Sequence, residues 1–137
     1  GPRALAGAPP ALAALVAVVS RDPRHPGHEK ALAYLEEQLR EIPGLALVRQ
    51  QQGRLEEAEI LQRQVVTGLI GLHGAKHLDL LQEHVHLASI LLARSASQPE
   101  KRVEALALLR DTEMLFQDRV HPTYQFLVAL RQLRQEN

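Results

Sequence analysis

The sequence has no cysteine and no tryptophan, only two tyrosines and two phenylalanines, and a formal net charge of zero from 16 basic and 16 acidic side chains. Each shortage excludes something. Without cysteine there is no disulfide, no thiolate nucleophile and no sulfur-ligated zinc, which fits a reducing compartment and gives a cytoplasmic protein as the expectation. Tyr34, Phe116, Tyr124 and Phe126 are the whole aromatic set, too few and too scattered to stack single-stranded nucleic acid or sugars. Charges that cancel without a long run of either sign give no bulk attraction to nucleic acid or an anionic membrane. The longest apolar run, residues 11–19 (ALAALVAVV), is far short of the roughly 20 residues that span a bilayer. The expected partner is therefore a protein or peptide, with no nucleic acid, no membrane and no cofactor.

What is present is leucine, alanine and valine at helical spacing. Gly1 and Pro2 look like what a cleaved expression tag leaves, so residues 3–137 are read as one helical domain, long enough for a real core. Residues 11–19 follow Pro9-Pro10 and read as an N-terminal apolar helix, since proline suits a first helical turn; Arg3 before an apolar run is also the arrangement of a secretory signal. After the loop SRDPRHPG, Leu32, Leu35, Leu39 and Ile42 form a stripe over residues 28–41, which Pro43-Gly44 should end, and residues 45–52 read as a short separate helix. Leu55, Ala58, Leu61, Val65, Leu69 and Leu72 then share one face of a helix over 54–72, opened by Gly53 and closed by Gly74. Ile60, Val66 and Ile70 lie off that stripe, as they would if the helix touched neighbours on both sides. Asp79 sits in the first turn of the next helix, where a carboxylate complements the helix dipole. A helix over 101–116 is carried by Val103, Ala105, Leu106, Leu108, Leu109 and Leu115, and a final one over 122–134 turns Leu127 and Leu130 inward behind a polar last turn. No sustained period-two pattern appears, so the chain should be all-α with six or seven helices.

The chain also resembles itself. QQGRLEEAEILQRQ answers to SQPEKRVEALALLR, with Ala58 and Ala105 as the small residues where paired helices approach closely. His25-Pro26-Gly27, His77-Leu78-Asp79 and His121-Pro122-Thr123 stand at the starts of successive helix pairs. A period in the forties built from helix pairs is the mark of an α-solenoid, here a first repeat region at 28–73, a second repeat at 78–116 and a capping helix at 122–135. The order Gly53-Arg54-Leu55-Glu56-Glu57-Ala58-Glu59, Leu72-His73-Gly74, His77-Leu78-Asp79 resembles the long tetratricopeptide repeat of kinesin light chains. The resemblance implies a stack of antiparallel helix pairs whose first helices line a groove for peptides. Its repeat pattern places groove positions on Leu47, Gln50, Gln51, Gln82, Val85, His86 and Ser89, and the light-chain Asn pair is replaced by Val85-His86. The H-G-x-x-H turn at 73–77 is also similar to the C-terminal helical domain of SET-and-MYND lysine methyltransferases, whose catalytic and zinc-binding sequences are not in this chain.

The histidines are the one chemical constellation. His73, His77, His84 and His86, with Asp79 and Glu83 for oxygen, invite a zinc or nickel site. Gly74 breaks the helix between the first two, however, and His84 and His86 point about 200° apart, so no metal is expected; His84, at a normally apolar position, should be a hydrogen-bonded, partly buried imidazole. Glu36-Glu37 and Glu56-Glu57-Glu59 fall on the solvent side of leucine stripes, and no serine stands in an elbow motif, so no catalytic residues are expected. The function expected is that of a non-enzymatic interaction module or adaptor, a scaffold binding a peptide or helix. The alternative is a regulatory or oligomerising helical domain of a larger protein. A stack of between two and three repeats leaves one end open, and Leu15 and Val18 are candidates for covering it or for self-association as a homodimer.

Overall fold

The computed structural model describes Arg24 and residues 26–137, and the described residues fold into five helices with no strand. These are α1 (His28–Gln51), α2 (Leu55–His73), α3 (Asp79–Arg94), α4 (Glu100–Phe116) and α5 (Gln125–Glu136). The helix expected over residues 11–19, with Leu15 and Val18, lies outside the described residues, as does His25.

Each helix packs on the next in sequence, and α3 packs on α5 as well. The connections are short (residues 52–54, 74–78, 95–99 and 117–124), and helices that touch across so short a link must run antiparallel. Two of the breaks rest on glycine in the left-handed region. Gly53 has φ +78° and Gly74 φ +90°, conformations in which a β-carbon would be strained. In the first, the Arg54 amide donates back to the Arg49 carbonyl; in the second, the Gly74 amide donates to Ile70.

Leaving aside the expected helix over 11–19, outside the described residues, the count falls to five because of one misread proline. Pro43 does not end a helix but sits inside α1, which runs on through residues 45–51. Proline removes the amide that would bond Leu39 and costs about 3 kcal/mol in a helix interior. Burial outweighs that cost, because Leu35, Leu39 and Ile42 before the proline and Ala46 after it all enter one core, and burying a leucine-sized side chain contributes about 1.5–3 kcal/mol.

That core joins all five helices. Leu35 of α1, Val65 of α2, Leu80, Leu81 and Leu91 of α3, Leu109 and Phe116 of α4, and Leu127 and Leu130 of α5 are fully buried. Ala58 and Ala105 have no exposed surface, as their place in the repeat pattern implied. A further close contact involves Gly68. A β-carbon on Gly68 would stand 2.7 Å from Leu39 Cδ2, so α1 and α2 meet where one partner has no side chain.

Two apolar assignments are corrected. Val103 is 70 % exposed, and the inward stripe of α4 is Ala105, Leu109, Thr112 and Phe116, spaced four, three and four apart as a helix face requires. On α2, Val66 packs against the core, but Ile60 and Ile70 are exposed, so that flank is not covered among the described residues. Tyr34, Leu45 and Val48 of α1 are exposed as well.

Candidate interaction groove

The groove is built on α1, α3 and α5. Leu47, Gln50 and Gln51 of α1 and Gln82, Val85, His86 and Ser89 of α3 line one open groove of about 720 Å3, joined by Pro43, Gly44, Glu83, Phe126 and Ala129. All seven positions taken from the repeat pattern are thus brought together on one surface.

Gln50 ties the two walls. Its Nε2 donates to Ser89 Oγ at 3.2 Å, and its Oε1 accepts from His86 Nε2 at 3.1 Å. An amide oxygen only accepts, so the His86 proton is assigned to Nε2. Burial lowers the His86 pKa, keeping the ring neutral and the chain His86 to Gln50 to Ser89 intact at neutral pH. Gln51 and Gln82 are exposed at the rims, with their amides available.

Five lining residues escaped the sequence reading. Pro43 and Gly44 did so because the helix was ended there. Phe126 and Ala129 lie three apart on α5, one step round from the buried Leu127 and Leu130, and continuing the α3 groove pattern onto the last helix would have found them. In the sequence Glu83 stands out only as an oxygen donor beside the histidines. It is buried, and Gln62 Nε2 donates both to its carbonyl (3.0 Å) and to its Oε1 (2.8 Å). Burial pushes the Glu83 pKa up, the Gln62 hydrogen bond partly opposing and the Asp79 charge adding.

The histidines take separate roles. His84 and His86 face opposite ways, as their spacing required: His84 Nδ1 lies 3.2 Å from Thr112 Oγ1 of α4, and His86 turns to α1. His84 is partly buried, which lowers its pKa. His73 and His77 stack across the Gly74 turn with centroids 4.5 Å apart and planes 24° apart. Ring-nitrogen lone pairs lie in the ring planes, so near-parallel rings do not converge on one ion. Among the described residues no three His, Cys, Asp or Glu side chains gather to hold a metal. His77 and His121 instead make one and the same local contact: Nδ1 accepts the backbone amide two residues on, Asp79 and Thr123 respectively, each at 3.1 Å.

Of the carboxylates expected on solvent faces, Glu59 is a correction. It is buried beneath Arg63 (2.8 Å), Arg94 (2.8 Å) and Lys101 (3.0 Å), with Arg63 also reaching Glu104 at 2.6 Å. Residues 55, 59, 62 and 66 form a second inward face of α2, and its cations come from three helices, which no single stretch of sequence displays.

No described helix is long and apolar enough to cross a membrane. The chain matches no model of a known protein family, no curated protein and no solved structure.

Proposed function

We propose that this chain is a tetratricopeptide-like interaction module, an α-solenoid of antiparallel helix pairs (α1–α2, α3–α4, with α5 as cap), whose groove on α1, α3 and α5 takes a peptide or helix of a partner protein. The observation that carries the reading is the convergence of Leu47, Gln50, Gln51, Gln82, Val85, His86 and Ser89, chosen by repeat position, on one groove. Supporting it, the starts of α3 and α5 share the His77 and His121 contact, and Ala58 and Ala105 occupy equivalent buried places.

The chemistry of the lining favours a peptide over a small molecule. The groove is open, so a small ligand would keep much of its surface in water, whereas ligand pockets usually enclose most of what they bind. Rim amides at Gln51 and Gln82 offer donors and acceptors to a peptide backbone, and Leu47, Val85 and Phe126 offer apolar seats. Where the light-chain repeat has an Asn pair, the Gln50 amide held by His86 and Ser89 fixes the polar floor. No step of catalysis is assigned to any residue.

The test is chemical-shift mapping on the 15N-labelled chain with a peptide selected against it from a random dodecamer library. Shifts confined to Leu47, Gln51, Gln82, Val85 and Phe126 are expected. Shifts clustering around Ile60, Val103 and Met114, on the other side of the helices, would overturn the groove as the site.

A further inference from the structure

Among the described residues Glu59 and Glu83 are buried carboxylates and Glu113 is partly buried, and two of these three are matched by cations. Glu59 has Arg63, Arg94 and Lys101; Glu113 has Arg131 and Arg134. Glu83 has none. Its Oε1 accepts from the neutral Gln62 amide, while its Oε2 has no donor among the described residues and is not itself enclosed. An ionised carboxylate removed from water without a cation is costly, so folds complete such groups or use them.

The position of Glu83 decides between these. It lines the groove, and no Lys or Arg lines that groove with it. His86 is held neutral by burial, and Asp79, one turn earlier on α3, adds negative charge. Gln62 faces Glu83 from α2, Gln50 and Gln51 are the polar groups on the α1 wall, and α5 contributes only Phe126 and Ala129. The groove therefore combines apolar seats and neutral amides with one carboxylate as its only formally charged lining residue. Behind it, Gln62 Oε1 is buried without a partner, so the pair Gln62–Glu83 is short of donors, not of acceptors. One carboxylate without further oxygen ligands does not make a divalent-cation site. A Lys ammonium or Arg guanidinium, on a stem that packs against apolar walls, matches both the charge and the groove.

We propose that Glu83 anchors a basic side chain of the bound peptide, so that the groove selects segments carrying one Lys or Arg between apolar residues. This rests on the groove reading above and specifies it. The competing account is that Glu83 is a protonated structural acid with its hydroxyl turned to Gln62, in which case charge in the groove is irrelevant to binding.

The experiment is selection from a phage-displayed random dodecamer library at pH 7 on the full chain, on Glu83→Gln and on Ser89→Arg, each checked for folding by circular dichroism. Wild-type pools should share one basic position between apolar ones, and the synthetic consensus peptide should lose at least about tenfold in affinity for Glu83→Gln. Exchanging the peptide's basic residue for Met should cost the same with wild type and little with Glu83→Gln. The peptide-side exchange decides the matter even where a protein variant fails to fold. Pools that Ser89→Arg abolishes but that show no fixed basic position, or no response to Glu83→Gln, overturn the Glu83 anchor and leave the groove standing. An empty wild-type selection, or one unchanged by Ser89→Arg, overturns the groove itself.

Discussion

Glu59 and Glu83 are both buried carboxylates on neighbouring helices, yet the fold treats them oppositely. Around Glu59, burial alone would raise the pKa, but hydrogen bonds from Arg63, Lys101 and Arg94 hold it below the ordinary carboxylate range. Around Glu83, burial prevails over a single neutral amide and the pKa rises. The first cluster links α2, α3 and α4 through complete pairing, which is what a structural contact between helices needs. The second faces a groove and is left incomplete, which is what a recognition contact needs, because the missing charge can come from the partner.

The contrast predicts a graded set of stabilities. Glu59→Ala should have the largest effect, a loss of roughly 2–4 kcal/mol in urea unfolding, because three cations lose their counter-ion and the more buried of them are left unpaired. Ala58→Leu should cost roughly 1–3 kcal/mol by overpacking at the adjacent helix contact; equal stability would mean that this contact is looser than its burial implies. Glu113→Gln should cost only about 1 kcal/mol, since Arg131 and Arg134 are well exposed and solvent screens the pairs. Glu83→Gln should be neutral or stabilising, within about 1 kcal/mol, because it removes a buried charge and keeps the shape. A loss as large as that of Glu59→Ala would erase the contrast.

Acid sharpens it further. His84 and His86 have folded pKa values below the ordinary one, so as pH falls below about 6.5 the unfolded chain takes up protons first and stability drops. Glu83 works the other way. Its folded pKa is raised, so the folded chain takes up its proton first and gains stability as pH falls through that value. Thermal melts between pH 7.5 and the ordinary glutamate value of 4.5 should therefore show a decline that steepens in Glu83→Gln, which lacks the compensating group, and flattens in His84→Gln. A Glu83→Gln profile parallel to wild type would remove Glu83 from the balance.

Much of this was legible before any coordinates. The span of α2 was readable because its leucines recur at helical spacing between two glycines, and both glycines adopt the left-handed backbone that such breaks need. The seven positions taken from the repeat pattern do line one groove, because residues three and four apart share a helix face. Pro43 was misread because proline's local cost is visible in sequence while the burial of Ala46 that offsets it is a tertiary fact. Glu59 was misread for the same reason: charged residues on a helix usually face water, and only the meeting of Arg63, Arg94 and Lys101 in space shows otherwise. Gly68 gave no local sign of its close contact with Leu39. Glu83 carried no signal at all, because what distinguishes it is a partner that is missing.

The most direct test is a pH titration of the 13C-labelled glutamate carboxyl groups, with Glu59 and Glu83 assigned by single substitution and followed in one sample. The account predicts that Glu59 titrates below the ordinary carboxylate range and Glu83 above it, and that Glu83 alone moves downward when a basic groove-binding peptide is added. Glu83 titrating alongside Glu59, or failing to respond to the peptide, would contradict it.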